Sequence, residues 1–295
     1  MIAHQGHHRY FKESVAAAAR FACVRVLTFE EPDTNGQFAA LQQSYVHLSG
    51  ASVRFELMWC LRRYFLMRDL FRREGLEQGW LLDSDLLLVD ELPDSSQFPP
   101  GTTCALSSPP VAHELDRHFS PHCSFWTLQA LESFCAFMVE TYRDRGDELR
   151  LLDRQRRALG LTSACGEMIL LGLWGLNDPR VFNLFEFVEG GMIDHNLRGS
   201  EQPTGRQLKN RFGNKVLHWR EGRLFTETGD GQFVLLRCVH FQGAAKVMMP
   251  DFANRRRFFY DVKAWTRFVS NSIRLSLRSM KRRGLAVDRT HLSIG

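Results

Sequence analysis

The sequence predicts a mixed α/β protein with a mostly parallel central sheet flanked by helices, followed by a basic helical C-terminal extension. Three observations carry this expectation. The chain opens as strand, helix, strand: Met1-Ile2-Ala3, a helix from Arg9 to Phe21 with an alanine-rich centre, then the alternating Cys23-Val24-Arg25-Val26-Leu27. A second helix, from Val53 to about Arg73, leads through Gly79 into an apolar run that starts at Trp80. Charge is unevenly divided. Residues 251–295 hold 11 Lys and Arg against 3 Asp, a local +8 within a net +5, which leaves −3 for the first 250 residues. The expected division is therefore an α/β domain over residues 1–250 and a basic extension over 251–295.

With 295 residues the chain can bury a sizeable core, and 44% hydrophobic with 24% charged residues excludes wholesale disorder. No apolar stretch approaches the roughly 20 residues that span a bilayer, and the start carries His4, His7 and His8 where a signal peptide would be apolar. A cytoplasmic location is expected. The three histidines match no zinc spacing and read as a loop. Seven cysteines stand singly in apolar surroundings with no Cys-x-x-Cys pair, so buried free thiols are expected rather than zinc or a redox site.

Residues 30–50 read as a loop, with Pro32, Asp33, Asn35 and Gly36 as turn formers. Ser52 caps the following helix and Glu56 sits in its first turn, while Phe55, Met58, Trp59, Leu66 and Leu70 recur at helical spacing. Arg62 and Arg63 stand side by side there, as an exposed basic edge or as groups near a phosphate or base. Strands are expected at 102–106 and 122–126, and helices at 127–143 and 149–159, the latter with a solvated face. An apolar helix then opens at Ser163-Ala164-Cys165-Gly166-Glu167-Met168 and ends near Trp174. Glu167 at its mouth either complements the helix dipole or serves chemistry. Short strands at 181–185, 215–219, 223–227 and 232–239 complete the body, the last two joined by the turn Thr228-Gly229-Asp230-Gly231.

The chemistry centres on Leu81-Leu82-Asp83-Ser84-Asp85-Leu86-Leu87-Leu88-Val89. On an extended strand, residues i and i+2 share a face, so Asp83 and Asp85 can converge on one cation. Mg²⁺ or Mn²⁺ suits such oxygen ligands and keeps positions open for phosphates. A second constellation, His240-Phe241-Gln242-Gly243-Ala244-Ala245-Lys246, ends the last strand. A neutral imidazole can complete a divalent metal's shell, Gly243 has no Cβ to keep backbone from a phosphate, and Lys246 offers a compact positive charge.

The pairing of Leu-Asp-Ser-Asp after a strand with a distant His-x-x-Gly-x-x-Lys resembles the GT-A nucleotide-sugar glycosyltransferases, especially family 8, across most of residues 1–250. That resemblance implies metal ligation by Asp83, Asp85 and His240. It implies diphosphate binding by Gly243 and Lys246, and contact of Arg63 with the nucleotide. It implies Mn²⁺ or Mg²⁺ as cofactor, a nucleotide-diphosphate sugar as donor, a glycan or lipid-linked hydroxyl as acceptor, and retention at the anomeric carbon. The family's acidic residue on the acceptor side is here Glu167 rather than Asp, and its Lys-Pro-Trp ending reads Lys246-Val247-Met248. The rival expectations are an Asp-x-Asp phosphatase, in which the His-Gly-Lys stretch has no place, and a basic binding protein for nucleic acid or membrane. The tail, with Trp265, Phe268, Ile273 and Leu277 among Lys and Arg on an expected helix over 261–283, suits an anionic membrane surface; no nucleic acid is expected.

Overall fold

The computed structural model describes residues 1–3, 9–28, 33, 36–48, 50–111, 113–161, 165–186, 190–198, 207–255, 265, 266 and 270. The strands are β1 (Ile2–Ala3), β2 (Val26–Leu27), β3 (Gln78–Asp83), β4 (Leu86–Leu88), β5 (Cys104–Ser107), β6 (Ser120–Thr127) and β7 (Val181–Asn183). They continue as β8 (Met192–Ile193), β9 (Asn210–Arg211), β10 (Asn214–Lys215), β11 (Leu217–Arg220), β12 (Arg223–Glu227) and β13 (Phe233–His240). The helices are α1 (Arg9–Ala18), α2 (Gln37–Ser44), α3 (Val53–Phe55), α4 (Arg62–Glu74), α5 (Leu128–Asp144), α6 (Gly146–Ala158), α7 (Glu167–Gly175) and α8 (Met249–Ala253).

The central sheet has the order β2-β1-β3-β6-β5-β7. β1 lies parallel to both β2 and β3, β5 is parallel to β7, and β6 alone runs against its neighbours. The expected strand–helix–strand opening is present as β1-α1-β2, although only Val26 and Leu27 of the expected 23–27 strand pair. Its register sets Ala3 opposite Asp83, so Asp83 ends an interior strand flanked by β1 and β6. The second sheet runs β11-β12-β13-β4, with β8 also beside β13. Its hairpin between β12 and β13 closes at residues 228–231 as expected, with Thr228 and Gln232 joined by backbone and Gly231 at φ 85°.

Apolar clusters support these sheets. One lies against α2, α4 and α5 and contains Tyr64, Phe65, Phe71, Trp126 and Phe134, with Tyr64 edge-on to Phe134 at 4.8 Å. A second joins the second sheet to α8 through Leu224, Leu236, Val239, Met249 and Phe252. A third contains Ile2, Leu82, Leu86, Cys123, Ile193 and Cys238, residues drawn from strands of both sheets. Asp83-Ser84-Asp85 therefore crosses from one sheet to the other over a packed apolar floor.

Several expectations are corrected. Asp83 and Asp85 are not on one continuous strand: Asp83 ends β3, Ser84 and Asp85 form a turn, and Leu86 begins β4. Residues 30–50 include the helix α2, whose Phe38 and Leu41 are buried, with Phe38 packing at 5.5 Å from Phe65. Ser52 caps α3 as expected, but Glu56–Leu61 is a π turn that connects α3 to α4. Such a turn carries an extra residue and re-aims every side chain beyond it. The strand expected over 181–185 stops at Asn183, and that over 215–219 is divided at Val216. Five cysteines are buried and all seven are free, but Cys60 is only partly covered and Cys23, outside the paired part of β2, is exposed.

His4, His7 and His8 lie outside the described residues, and of the expected tail helix only residues 265, 266 and 270 are described. Among the described residues no helix is long and apolar enough to cross a membrane.

Candidate metal and donor site

The turn after β3 and the end of β13 meet because β4 pairs antiparallel with β13, setting Leu86 opposite His240. The Phe241 N–H donates to the Asp85 carbonyl at 2.9 Å, locking the two segments together. Asp83, Asp85 and His240 consequently each present one ligand-type atom, all within 4.8 Å of one another. Residues some 155 positions apart in sequence thus become one cluster. His240 Nε2 stands 3.6 Å from Asp85 Oδ1. Its Nδ1 lies 2.7 Å from the His195 carbonyl, so the proton belongs on Nδ1 and the Nε2 lone pair faces the aspartates in the neutral ring.

The donor set fits a divalent ion. Two carboxylate oxygens and one imidazole nitrogen are ligands that divalent ions take, and only Asp83 of the three remains partly open to solvent. Cations already neutralise the acids. Lys246 Nζ is 3.0 Å from Asp85 Oδ2, and Arg63 Nη1 is 2.5 Å from Asp83 Oδ1. Burial alone would raise the Asp85 carboxyl, but His240 and Lys246 outweigh it and hold that group at about 2. Burial likewise opposes charge on His240 and Lys246, yet Asp85 raises both above their ordinary values.

Lys246 lies on a short 3-10 turn, Gly243–Met248, directly after β13, with its ammonium 5.5 Å from the Tyr10 ring centroid of α1. Gly243 opens this turn at φ 59°, a left-handed conformation that favours glycine, and a Cβ there would meet nothing within 4 Å.

Of the paired arginines, Arg63 reaches the acids, whereas Arg62 lies over the Phe38 ring at 5.3 Å. Arg63 bridges Asp83 and Glu167: its Nη2 is 2.6 Å and its Nε 2.8 Å from Glu167 Oε1, and the Tyr64 hydroxyl donates to the same oxygen at 2.7 Å. Glu167 begins α7 but is turned onto Arg63 rather than left as an exposed dipole partner, and it is only 8% exposed. Its backbone N–H donates to Glu56 Oε1 at 2.7 Å, so a carboxylate from the π turn caps the helix. One guanidinium here serves Asp83 and Glu167 with Glu56 close by. Burial raises the Glu167 carboxyl to about 7 despite Arg63 and Tyr64, which oppose the rise. Arg63 stays charged because it sits among acids, even though burial works against it.

The sequence brought Asp83, Asp85, His240, Gly243, Lys246, Arg63 and Glu167 forward, and the fold joins them in two linked groups: the triad with Lys246, and Arg63 with Glu167, bridged at Asp83. It did not bring forward Tyr64, His122, Asp194 or Lys215, and it offered Glu56 only as a first-turn acid of its own helix. Their buried polar atoms are paired with partners far along the chain, and no spacing in the sequence signals such pairing.

No known family profile matches the chain, and no curated protein matches it in sequence. Among solved structures it is similar to a glycosyltransferase involved in the glycosylation of the major capsid of PBCV-1, at 12% identity and a TM-score of 0.32. That alignment covers 50% of this chain and 66% of the other. It is also similar to mouse xyloside xylosyltransferase 1 in its apo form, at 13% identity and a TM-score of 0.35, covering 57% of this chain and 66% of the other. The chain thus spans just under two thirds of the length of each. Both neighbours are glycosyltransferases, at a distance where the function of this chain has to be read from its own site.

Proposed function

We propose that this protein is a metal-dependent glycosyltransferase that moves a sugar from a nucleotide-diphosphate donor to a hydroxyl of a glycan or lipid-linked acceptor, with retention. The observation that carries the reading is the Asp83–Asp85–His240 cluster with a lysine beside it. An acid cluster alone binds a cation; with a lysine and an open glycine turn it suits a cation that carries a diphosphate. A Mn²⁺ or Mg²⁺ held by Asp83, Asp85 and His240 would supply Lewis-acid stabilisation to the leaving diphosphate. In transfer, the bond between sugar C1 and the diphosphate oxygen breaks, and one from C1 to the acceptor oxygen forms while the acceptor hydroxyl passes its proton to the departing diphosphate oxygen. Lys246 stabilises the negative charge that grows on the leaving group, moving from Asp85 to a phosphate oxygen. Gly243 lets backbone approach the same phosphates, and Arg63 holds Asp83 in place beside the nucleotide. Glu167 steadies positive charge on the sugar or orients the acceptor. Catalysis is assigned to residues 1–250, and residues 251–295 to a basic extension able to touch anionic membrane.

A thermal-shift screen of nucleotide sugars with and without Mn²⁺ tests the reading. The expected outcome is stabilisation by one donor only when Mn²⁺ is present, with the shift lost in Asp85→Asn and in His240→Ala. A donor shift of equal size without metal, or one retained in both variants, would remove the proposed site.

A further inference from the structure

His240 is held from several directions by groups that do not themselves reach the aspartates, and the geometry points to Asp194, with its partner Lys215, as the positioning residue that aims His240 Nε2 at Asp85. This inference rests on the metal-site reading above. Asp194 is fully buried and follows β8 directly. Its Oδ2 accepts the His240 backbone N–H at 3.0 Å, and its Oδ1 lies 2.5 Å from Lys215 Nζ. The same ammonium donates to the Asn196 carbonyl at 2.5 Å, which keeps residues 194–196 against the end of β13. Between these anchors, the His195 carbonyl takes the Nδ1 proton of His240. The Asp194 carbonyl accepts His122 Nε2–H at 3.0 Å, and the His122 ring lies flat on His240, 4.6 Å away and tilted by 7°. Backbone and tautomer of one imidazole are therefore set by a single short segment that Lys215 ties down, and its ring plane by His122 of β6, which the same segment holds.

Stability alone does not account for this arrangement. Burying a carboxylate and an ammonium costs solvation that a well-packed apolar pair avoids, so such a pair is weak as a stabiliser. Hydrogen bonds that fix an imidazole's tautomer and direction are what a metal-binding histidine needs, and their loss elsewhere lowers metal affinity.

The test uses the full chain. Imidazole ¹H–¹⁵N spectra of the metal-free wild type, recorded above the pH at which the same spectra show the His240 ring to lose its charge, are expected to show His240 as the Nδ1–H tautomer alone. Mn²⁺ affinity is read by EPR. Asp194→Asn combined with Lys215→Met removes both charges and keeps their shape. Relative to wild type it is expected to bind Mn²⁺ about 10- to 100-fold more weakly and to show mixed His240 tautomers, with circular dichroism unchanged. Unchanged affinity in the folded double variant overturns the inference. So does a mixed tautomer in the wild type, a result that needs no variant to fold. A wild type that binds no Mn²⁺ but keeps one tautomer, which the double variant then loses, supports the positioning role and overturns the metal reading instead.

Discussion

At the scale of single residues, Glu167 shows how burial and charge compete. Its carboxyl sits at about 7 in the folded protein against 4.5 for an unperturbed glutamate. Between those values the folded state keeps a proton that the unfolded chain has released, so this group makes stability fall as pH rises from about 4.5 to about 7. The full effect is roughly 3 kcal/mol at most. His195 works the other way. Burial holds it at about 4 against 6.5, so its contribution rises with pH over an overlapping range. The informative measurement is therefore a difference. Urea unfolding of Glu167→Gln and wild type from pH 4 to 8 is expected to show the variant gaining on the wild type as pH rises, and a constant gap would mean that the Glu167 carboxyl titrates alike in the folded and unfolded chains. Asp85 acts in a separate window: its stability contribution is present above 3.8 and is lost as pH falls through about 2.

At the scale of elements, the decisive junction is where the π turn meets the start of α7. A Cβ on Gly166 would lie 2.7 Å from Glu56 Oε1, inside any normal contact. Gly166→Ala must push aside the carboxylate that caps α7 and disturb the Arg63–Glu167 pair built beside it. We expect a loss of about 1–3 kcal/mol in urea unfolding. A neutral result would mean that the Glu56 side chain is free to move and does not act as a fixed cap. The helix that carries Arg63 was legible from its apolar spacing and its Ser52 cap. The π turn was not, because one extra residue in a turn leaves the hydrophobic pattern almost intact while rotating every side chain after it. α2 escaped notice for a different reason: eight residues with only Phe38 and Leu41 buried show too little periodicity among turn formers.

At the scale of the whole molecule, the two sheets meet where the acidic turn crosses between them, and the net positive charge lies after that body. Residues 251–295 carry +8, so electrostatic attraction to anionic lipid is expected to reside there, at about 1 kcal/mol per basic residue near the surface. Removing residues 278–295 is expected to weaken flotation with anionic liposomes at low salt while leaving donor hydrolysis in water unchanged. Equal flotation of intact and shortened protein would place any lipid contact elsewhere.

The order of amino acids was enough to supply the ingredients: a strand–helix–strand opening, an acidic pair after an apolar strand, and His, Gly and Lys at intervals of three after another. These are local patterns, and local propensity with side-chain chemistry suffices to read them. Folding was needed to show that Asp83 ends a strand of one sheet while Asp85 lies in the turn to the other, that Arg63 rather than Arg62 faces the acids, and that Asp194 and Lys215 stand behind His240. Each of those facts depends on strand register or on a buried polar atom finding its partner across 20 to 155 residues. Such pairing is set by the need to satisfy groups cut off from water, and it becomes visible only once the chain has folded around them.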